Sequence, residues 1–418
     1  MRATVPTVRR VLLLGSTGSI GRQTLDVIAG LNTLAARGEY HTHFQIVGLS
    51  AGRDADALLA QAAAHDVRDA ALFAPGDAPD GAESRGLRLR RGPGAAERLV
   101  REVEADIVLG AIVGSAGLPA TLAAVELGRD VALANKETLV AAGELVVAAA
   151  HRTGSRLLPV DSEHSAIWQC LVGHASSTHE GAQTPREVPP CALDDQVARL
   201  ILTASGGALR SRSKEQIDHA TPEDALKHPT WNMGAKVTID TASLTNKALE
   251  IIEAHWLFGL PSSRIRALIH PQSVVHSFVE FKDGSVIAQC GSPDMRTPIQ
   301  FALTYPRHVE GRAGEIDFAS LSRLDFAAPD LERFPALAMG WRVIDEGGTS
   351  GAIFNAANEA AVEAFLARRI PFGRLAELSC ASLDEVGVSP VRDLTDIIRA
   401  DSEARRYVRA SIEGAGVA

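Results

Sequence analysis

The chain has 418 residues, of which 46% are hydrophobic and 22% are charged, a balance that suits a folded protein with two or three domains. A formal net charge of −9 argues against a protein that binds nucleic acid through a basic surface. Four cysteines without a short paired spacing are typical of reduced thiols in the cytoplasm. The apolar run at residues 11–14 stops at Gly15 and is too short for export or a membrane span. We therefore expect a cytoplasmic protein with neither nucleic acid nor membrane as a partner.

The first predicted elements are a strand at residues 11–14, a glycine turn at residues 15–21 and a helix that continues through residue 28. Glycines at such a turn let the backbone approach a pyrophosphate, and the helix N-terminus offers amides to it. The spacing is G-x-x-G-x-x-G rather than the commoner G-x-G-x-x-G, so a plain tight turn remains an alternative.

A second strand is predicted at residues 44–49, followed by Gly52, Arg53 and Asp54. In dinucleotide-binding folds this strand end meets the adenosine ribose, where a basic residue accommodates the 2′-phosphate of NADP. Arg53 therefore favours NADP. Asp54 weakens that inference, and a solvated salt bridge between the two side chains at a helix start is the alternative.

Apolar strands at residues 107–109 and 131–134 alternate with alanine-rich helical stretches. This rhythm predicts a parallel, doubly wound sheet that extends to about residue 160. The loops at residues 110–117 and 135–137 follow strand ends, where ligands bind in such sheets, so both are candidate cofactor contacts. Lys136 and Glu137 could instead open a surface helix.

Two carboxylates, Asp161 and Glu163, follow the apolar run at residues 157–160. Extended backbone would send their side chains to opposite faces, so they can share one ion only if the strand turns into a helix here. Carboxylates with open coordination positions suit Mg²⁺ or Mn²⁺. Helix N-capping by Asp161 or Ser162 is the alternative.

Residues 172–196 form a polar, proline-rich stretch that is predicted to be a surface loop. Cys170, His174, His179 and Cys191 could be read as zinc ligands. Their spacings match no standard structural zinc pattern, so the loop is the favoured interpretation.

Farther along, a strand at residues 200–204 enters a Ser-Gly-Gly turn whose amides could form an anion-binding nest. In a predicted helix, Asn246, Lys247 and Glu250 share one face. An exposed Lys-Glu pair is the alternative, but apolar neighbours favour partial burial.

Together these stretches closely resemble the 1-deoxy-D-xylulose 5-phosphate reductoisomerase family. The motifs that carry the resemblance occur in the family's order, at residues 15–21 (GSTGSIG), 134–137 (ANKE), 158–164 (LPVDSEH), 203–207 (TASGG), 227–234 (KHPTWNMG), 246–250 (NKALE), 269–277 (IHPQSVVHS) and 293–298 (PDMRTP). Residues 354–359 (FNAANE) are similar to part of its C-terminal helical domain.

The resemblance implies an α/β protein with an N-terminal doubly wound (Rossmann-like) NADP-binding domain, a central α/β catalytic domain and a C-terminal helical bundle. Their implied bounds are residues 1–161, 162–304 with a lid around 227–235, a linker at 305–330, and 331–418. The implied activity is the rearrangement and NADPH-dependent reduction of 1-deoxy-D-xylulose 5-phosphate, a sugar phosphate, to 2-C-methyl-D-erythritol 4-phosphate in the non-mevalonate isoprenoid pathway. A homodimer is implied as well.

By position, the resemblance also implies residue roles. The implied ligands of Mg²⁺ or Mn²⁺ are Asp161, Glu163 and Glu250. The implied catalytic residues are Lys136, Glu163, His228 and Trp231. The implied substrate contacts are Ser162, Ser205, His228, Thr241, Asn246 and Lys247. The implied NADPH contacts are Thr17, Gly18, Ser19, Ile20, Gly52, Arg53, Asp54, Asn135, Glu137, Gly234 and Met295.

The chain departs from the family pattern at three positions. Thr241 stands where the family has serine, Ala248 where it usually has glycine, and Asp54 where it usually has asparagine. The loop at residues 172–196 is also longer than in a typical member. The alternative functions are an NADP-dependent semialdehyde or homoserine-type dehydrogenase, and an NADP sensor without turnover. A semialdehyde dehydrogenase needs a cysteine nucleophile, and no cysteine here follows a suitable strand-to-helix turn.

Overall fold

The computed structural model describes residues 7–74, 86–172, 188–193 and 195–415. The chain folds as two compact units. One comprises Met1–Asn135, Ala148–Ser165 and Asp294–Gly314, and the other comprises Lys136–Val147, Ala166–Pro293 and Glu315–Ala418. Most of the polar loop, with His174 and His179, lies outside the described residues.

The first unit contains a parallel sheet. Its seven strands within the described residues are β1 (Thr7–Leu14), β2 (Thr42–Ala51), β3 (Asp69–Leu72), β4 (Arg88–Arg91), β5 (Ile107–Gly110), β6 (Asp130–Leu133) and β7 (Leu157–Pro159). They are ordered β4-β3-β2-β1-β5-β6-β7, and every neighbouring pair is parallel. The order reverses between β1 and β5, which makes this the switch point at which doubly wound sheets bind ligands. The predicted doubly wound sheet is therefore confirmed.

The second unit contains a smaller mixed sheet. Its described strands are β8 (Val197–Ala204), β9 (Ile265–Ile269), β10 (Val275–Phe281) and β11 (Val286–Cys290). In the order β11-β10-β8-β9, β8 runs parallel to β9 and antiparallel to β10, which in turn pairs antiparallel with β11.

Helices separate most of the strands. The first eight are α1 (Ser19–Ala36), α2 (Ala55–Ala64), α3 (Ala95–Glu102), α4 (Leu118–Glu126), α5 (Lys136–Thr153, with non-helical backbone at Ala142), α6 (Ser162–Leu171), α7 (Lys214–Asp218) and α8 (Pro222–Ala225). The remainder are α9 (Ala235–Ala242), α10 (Thr245–Phe258), α11 (Arg296–Thr304), α12 (Phe318–Leu321), α13 (Met339–Glu346), α14 (Ser350–Leu366), α15 (Gly373–Val386) and α16 (Leu394–Ala415). The last four confirm the predicted C-terminal helical region. No helix in the described part of the chain combines the length and the apolar composition needed to cross a membrane.

Continuous apolar runs place the sheet of the first unit in the core. Val11, Leu12, Leu13 and Leu14 of β1 are all fully buried, as expected for a central strand covered on both faces. Burial of each such side chain contributes about 1.5–3 kcal/mol to folding. The buried sheet thus gives a rigid edge from which the loops at the strand ends project.

Candidate active site

The glycine turn after β1 is packed against two neighbouring segments. The amides of Gly15 and Ser16 both donate to Ser50 O at the end of β2, at 3.0 and 2.8 Å. Gly15 has a φ of +81°, and a Cβ there would lie 2.4 Å from Ala111 O, beyond β5. A Cβ on Gly21 would lie 2.3 Å from Gly15 O. Only glycine therefore fits at both positions, and the backbone at the switch point is free of side-chain bulk.

The same turn fits the pyrophosphate of a dinucleotide. Helix α1 begins at Ser19, and its N-cap, Gly18, provides no side-chain cap. The hydroxyl of Ser16 is fully buried and has no hydrogen-bond partner among the described residues. Uncapped helix amides attract anions, and a buried hydroxyl without a partner is costly unless a ligand satisfies it. Gly18 and Ser19 are exposed, and Thr17 and Ile20 are partly exposed, at this helix start.

The end of β2 carries the predicted ribose contacts. Gly52, Arg53 and Asp54 are exposed directly after this strand. Asp54 is the N-cap of α2, and its carboxylate accepts from Ala57 N at 3.0 Å. This carboxylate is therefore held at the start of α2.

Asn135 shapes the loop that follows β5. Its side-chain amide donates to Ile112 O and, at 3.0 Å, to Gly114 O, and the residue is only 3% exposed. Because the same loop packs against Gly15, Asn135 helps to form the wall of the switch point. A direct contact of Asn135 with a cofactor stays a prediction.

The carboxylates after β7 lie where the strand gives way to α6, as predicted. The strand ends at Pro159 and the helix begins at Ser162. The hydroxyl of Ser162 donates to Glu163 Oε2 at 2.6 Å, and the fully buried His164 places its Nδ1 3.9 Å from Asp161 Oδ2. Two carboxylates within one turn provide the hard oxygen donors that fit Mg²⁺ or Mn²⁺.

In the second unit, three side chains converge on the carboxylate of Glu250. Lys136 Nζ lies 2.8 Å from Glu250 Oε1 and 3.0 Å from Asn246 Oδ1, while Lys247 and Asn246 both donate to Glu250. The side chains of Lys136, Lys247 and Glu250 are 11%, 4% and 2% exposed. The predicted shared face and partial burial are thus confirmed, and the exposed-pair alternative is wrong. The two ammonium groups are cationic hydrogen-bond donors of the kind that bind an anionic substrate.

Ser205 and His228 form a second polar cluster in this unit. The hydroxyl of Ser205 lies 2.9 Å from His228 Nε2, and it accepts from Gly207 N at 3.2 Å. His228 Nδ1 accepts from the amides of Thr230 and Trp231, at 3.1 and 2.8 Å. The loop that was predicted to be a lid is therefore folded around the His228 ring. Trp231 remains partly exposed, with its ring 6.4 Å from that of His276.

Thr241 lies against the Ser-Gly-Gly turn. A Cβ on Gly207, whose φ is +69°, would lie 2.5 Å from Thr241 O. The Thr241 hydroxyl donates to Val237 O at 2.8 Å, one turn earlier in α9. Val237 O therefore competes with any other acceptor for this donor.

One feature near these residues has no counterpart in the sequence analysis. Lys236 forms ion pairs with both Glu137 and Asp240, each at 2.8 Å. Glu137, predicted to contact the cofactor, is 5% exposed, and its carboxylate faces this lysine. The ion pair of Lys236 with Asp240 could have been predicted from their i,i+4 spacing. The ion pair of Lys236 with Glu137 could not, because the two residues are far apart in the sequence.

Gly234 and Met295, two further predicted cofactor contacts, are the N-caps of α9 and α11. In the first unit, Arg296 reaches Asp26 of α1 at 3.4 Å, which ties α11 to the helix that follows the glycine turn. Both cofactor contacts stay predictions.

Two of the four candidate zinc ligands, Cys170 and Cys191, lie within the described residues, and their surroundings do not favour zinc binding. Burial raises the pKa of both Cys170 and Cys191 to about 12. Because zinc binds thiolate, these environments oppose the charged form that a ligand needs.

A doubly wound sheet with a bare glycine turn, together with a lysine-rich cluster around a carboxylate, defines the class of dinucleotide-dependent enzymes. Comparison of the sequence with known families matches residues 11–143 to 1-deoxy-D-xylulose 5-phosphate reductoisomerase, residues 157–258 to the C-terminal domain of the same enzyme, and residues 290–407 to the DXP reductoisomerase C-terminal domain. The chain belongs to the 1-deoxy-D-xylulose 5-phosphate reductoisomerase family.

Relatives of this family match along nearly the whole chain. The 1-deoxy-D-xylulose 5-phosphate reductoisomerase of Paraburkholderia phymatum is 44% identical over 415 residues, which cover 97% of this chain and 96% of that protein. The reductoisomerase of Zymomonas mobilis, solved in complex with NADPH, is 40% identical with a TM-score of 0.84 over 97% of this chain and 100% of that one. A DOX-P reductoisomerase solved with NADPH, fosmidomycin and magnesium is 34% identical, also with a TM-score of 0.84, over 97% and 98% of the two chains.

Proposed function

We propose that this chain catalyses the NADPH-dependent and divalent-metal-dependent conversion of 1-deoxy-D-xylulose 5-phosphate to 2-C-methyl-D-erythritol 4-phosphate, a step of the non-mevalonate isoprenoid pathway. The observation that carries the proposal is the convergence of Lys136, Asn246 and Lys247 on Glu250. It places two ammonium groups, which can bind a phosphorylated substrate, beside a buried carboxylate, which can bind a metal ion. Identity to reductoisomerases along nearly the whole chain supports the same activity.

In this proposal Asp161, Glu163 and Glu250 hold one Mg²⁺ or Mn²⁺ ion. All three are carboxylates, the donor type these ions prefer. When bound, the ion supplies Lewis acidity to the keto and hydroxyl oxygens of the substrate, and NADPH supplies the hydride. The uncapped start of α1 and the buried Ser16 hydroxyl receive the pyrophosphate of NADPH.

The lysines and polar side chains hold the substrate. Lys136 and Ser162 bind its reacting backbone, and the Lys136 ammonium stabilises negative charge that develops on substrate oxygens. The phosphate is received by Ser205, Thr241, Asn246 and Lys247. Two of these residues lie beside the Ser-Gly-Gly turn, where Gly206 and Gly207 have positive φ and can present amides to an anion.

The segment at residues 227–235 is proposed to close over the bound substrate. It contains no helix or strand from residue 227 to 234, and two of its backbone amides donate to the His228 ring. Trp231 supplies an apolar surface that excludes water from the reacting atoms.

A direct assay tests the proposal. Purified protein is mixed with 1-deoxy-D-xylulose 5-phosphate, NADPH and Mg²⁺, while NADPH absorbance and the methylerythritol phosphate product are followed. We expect turnover that requires all three components. NADPH binding without turnover would favour a sensor, and oxidation of homoserine or an aldehyde instead would favour the dehydrogenase alternative.

The finer assignments belong to the same proposal. The enzyme is proposed to act as a cytoplasmic homodimer with the domain bounds given above. Four free cysteines agree with a reducing compartment. Sedimentation equilibrium tests the dimer, and a monomer at catalytic concentration would contradict it.

A further inference from the structure

Lys236 is an ammonium group held between two carboxylates that belong to different helices. Its Nζ is 2.8 Å from Glu137 Oε1 in α5 and 2.8 Å from Asp240 Oδ2 in its own helix, α9. The Lys236 side chain is 17% exposed, and those of Glu137 and Asp240 are 6% and 1% exposed. Because buried charges are tolerated only when they are paired, the three groups hold one another in place.

A residue from the C-terminal helical region completes this cluster. Asn358 of α14 donates its side-chain amide to Asp240 Oδ1 at 2.9 Å, and it is 1% exposed. The next residue, Glu359, pairs with Arg405 of α16. Asp240 is therefore fixed from both sides, by Lys236 through one oxygen and by Asn358 through the other.

Electrostatics favour the charged forms of Lys236 and Glu137, whereas burial raises the pKa of Asp240 above its ordinary value. Burial disfavours the ammonium, but the carboxylates of Asp240, Glu137 and Glu359 hold the pKa of Lys236 above its ordinary value. The pKa of Glu137 is held below its ordinary value although burial opposes the carboxylate, because Lys236 lies beside it. Lys236 is thus a permanent cation at neutral pH.

Each member of the cluster is adjacent to a residue of the proposed site. Glu137 directly follows Lys136 in the first turn of α5, and Asp240 directly precedes Thr241 in α9. Consecutive Cα atoms are only about 3.8 Å apart, so fixing one residue limits its neighbour closely. Lys236 itself directly follows the proposed lid, which ends at residue 235.

We propose that Lys236 is a positioning residue for the reaction, which through Glu137 and Asp240 sets the relative placement of Lys136 and Thr241, and that Asn358 extends this support to the C-terminal helices. The inference rests on the proposed function, because Lys136 and Thr241 are its substrate contacts. Lys236 touches neither the substrate nor the cofactor in this scheme.

The test compares Lys236→Met, which removes the charge and keeps the length, with Lys236→Arg, which keeps the charge. The matched control is Arg90→Met. Arg90 is 13% exposed and pairs with Asp69, which is 8% exposed, in a sheet edge that carries no proposed site residue. All variants are assayed well below their melting temperatures, with kcat, KM for 1-deoxy-D-xylulose 5-phosphate and the inhibition constant of inorganic phosphate measured separately.

We expect Lys236→Met to lower kcat by about tenfold or more and to weaken phosphate inhibition, because a misplaced contact of about 1 Å costs this much or more. Lys236→Arg should recover kcat to within about threefold of the wild type, and Arg90→Met should lower the melting temperature while leaving kcat and KM within about twofold. Wild-type constants in folded Lys236→Met would overturn the inference and leave the proposed function intact. A wild-type protein without turnover would instead contradict the proposed function itself.

If Lys236→Met does not fold, Asn358→Ala decides the question, since it removes one neutral donor and leaves every charge paired. A rise of about threefold or more in KM, without a change in KM for Arg90→Met, supports positioning. An unchanged KM and kcat in Asn358→Ala overturns it.

Discussion

The Nε2 atom of His228 lies 2.9 Å from the hydroxyl oxygen of Ser205, and the tautomer of the ring decides which of the two groups donates. His228 Nδ1 accepts hydrogen bonds from two backbone amides, so it carries no proton. The proton of the neutral ring is therefore on Nε2, which donates to Ser205. One imidazole thus links the fold of the lid segment to a proposed phosphate ligand.

Protonation of His228 would break this arrangement, because Nδ1 would become a donor facing two donors. Burial, with the positive charge of Arg210 as a smaller contribution, holds the pKa of His228 below its ordinary value of 6.5. A depressed folded-state pKa contributes stability that is present above pH 6.5 and is lost as the pH falls through the folded-state value. We therefore expect kcat/KM to be insensitive to His228 above pH 6.5 and to fall at lower pH as the ring becomes charged.

Two substitutions separate the two roles of this ring. His228→Asn retains an acceptor near the Nδ1 position and loses the Ser205 contact, whereas His228→Gln retains a donor near the Nε2 position and loses the acceptor. We expect His228→Asn to keep the lid segment ordered but raise KM, and His228→Gln to impair closure and lower kcat.

The measurement is the pH dependence of kcat/KM in the wild type and the two variants. The substrate phosphate also titrates near pH 6, so only the difference from the wild type is informative. If both variants show the same acid limb as the wild type, His228 does not titrate in this range.

Thr241 is expected to be a weaker phosphate ligand than serine would be. Its hydroxyl donates to Val237 O, and a β-branched side chain on a helix has few rotamers from which to choose. Thr241→Ser should therefore lower KM for the sugar phosphate by about two- to threefold. Thr241→Val, which keeps the shape and removes the hydroxyl, should raise KM by about tenfold, because no hydroxyl remains that could exchange its bond to Val237 O for one to the charged phosphate. Equal KM values in the serine and valine variants would exclude a role for this hydroxyl.

Glu250 should be indispensable both for metal binding and for charge balance in its cluster. Glu250→Gln removes a proposed ligand and leaves Lys136 and Lys247 without the carboxylate that they share. We expect kcat to fall by about 100-fold or more, and EDTA to abolish turnover of the wild type. Titration calorimetry with Mn²⁺ measures the metal directly, and Glu215→Gln on the exposed face of α7 is the matched control. Undiminished Mn²⁺ affinity in Glu250→Gln would remove this residue from the ligand set.

The fold was predictable where local pattern and burial agree. The strands β1, β2, β5, β6 and β7 were predicted from apolar runs, and the predicted ends differ from the observed ends by at most four residues. β3 and β4 were not predicted. The sequence of β3 is Asp-Ala-Ala-Leu, and β4, at the sheet edge, reads Arg-Leu-Arg-Arg. Such composition carries no strand signal, and β4 is stabilised by Asp69, which pairs with Arg88 and Arg90.

The site was predictable where its residues are close in sequence. The shared face of Asn246, Lys247 and Glu250 follows from helical spacing alone. The ion pair of Glu137 with Lys236 joins residues 99 positions apart, and the bond from Asn358 to Asp240 spans 118 positions. No local pattern encodes such pairs, because they depend on how distant helices pack.

The preference between NADPH and NADH depends on two adjacent residues of opposite charge. Arg53 is exposed at the end of β2 and can reach a 2′-phosphate, whereas the Asp54 carboxylate is held by Ala57 N as the cap of α2. A guanidinium paired to phosphate contributes about 1.5–3 kcal/mol as a charge-assisted hydrogen bond. The carboxylate opposes it only through a longer, solvent-screened repulsion. We therefore expect NADPH to be preferred, by a smaller margin than with asparagine at position 54.

Three substitutions measure this balance through kcat/KM for both cofactors at fixed ionic strength. Arg53→Ala should lower the preference for NADPH by about 10- to 100-fold. Asp54→Asn should widen it by about two- to tenfold, because asparagine caps a helix as well as aspartate does and only the charge is lost. Asp56→Asn is the matched control, since it removes an exposed charge from the same first turn without altering the cap. If Asp54→Asn and Asp56→Asn change the preference equally, the effect is one of net charge. If Arg53→Ala keeps the full preference, the 2′-phosphate binds elsewhere and the role inferred for this strand end is wrong.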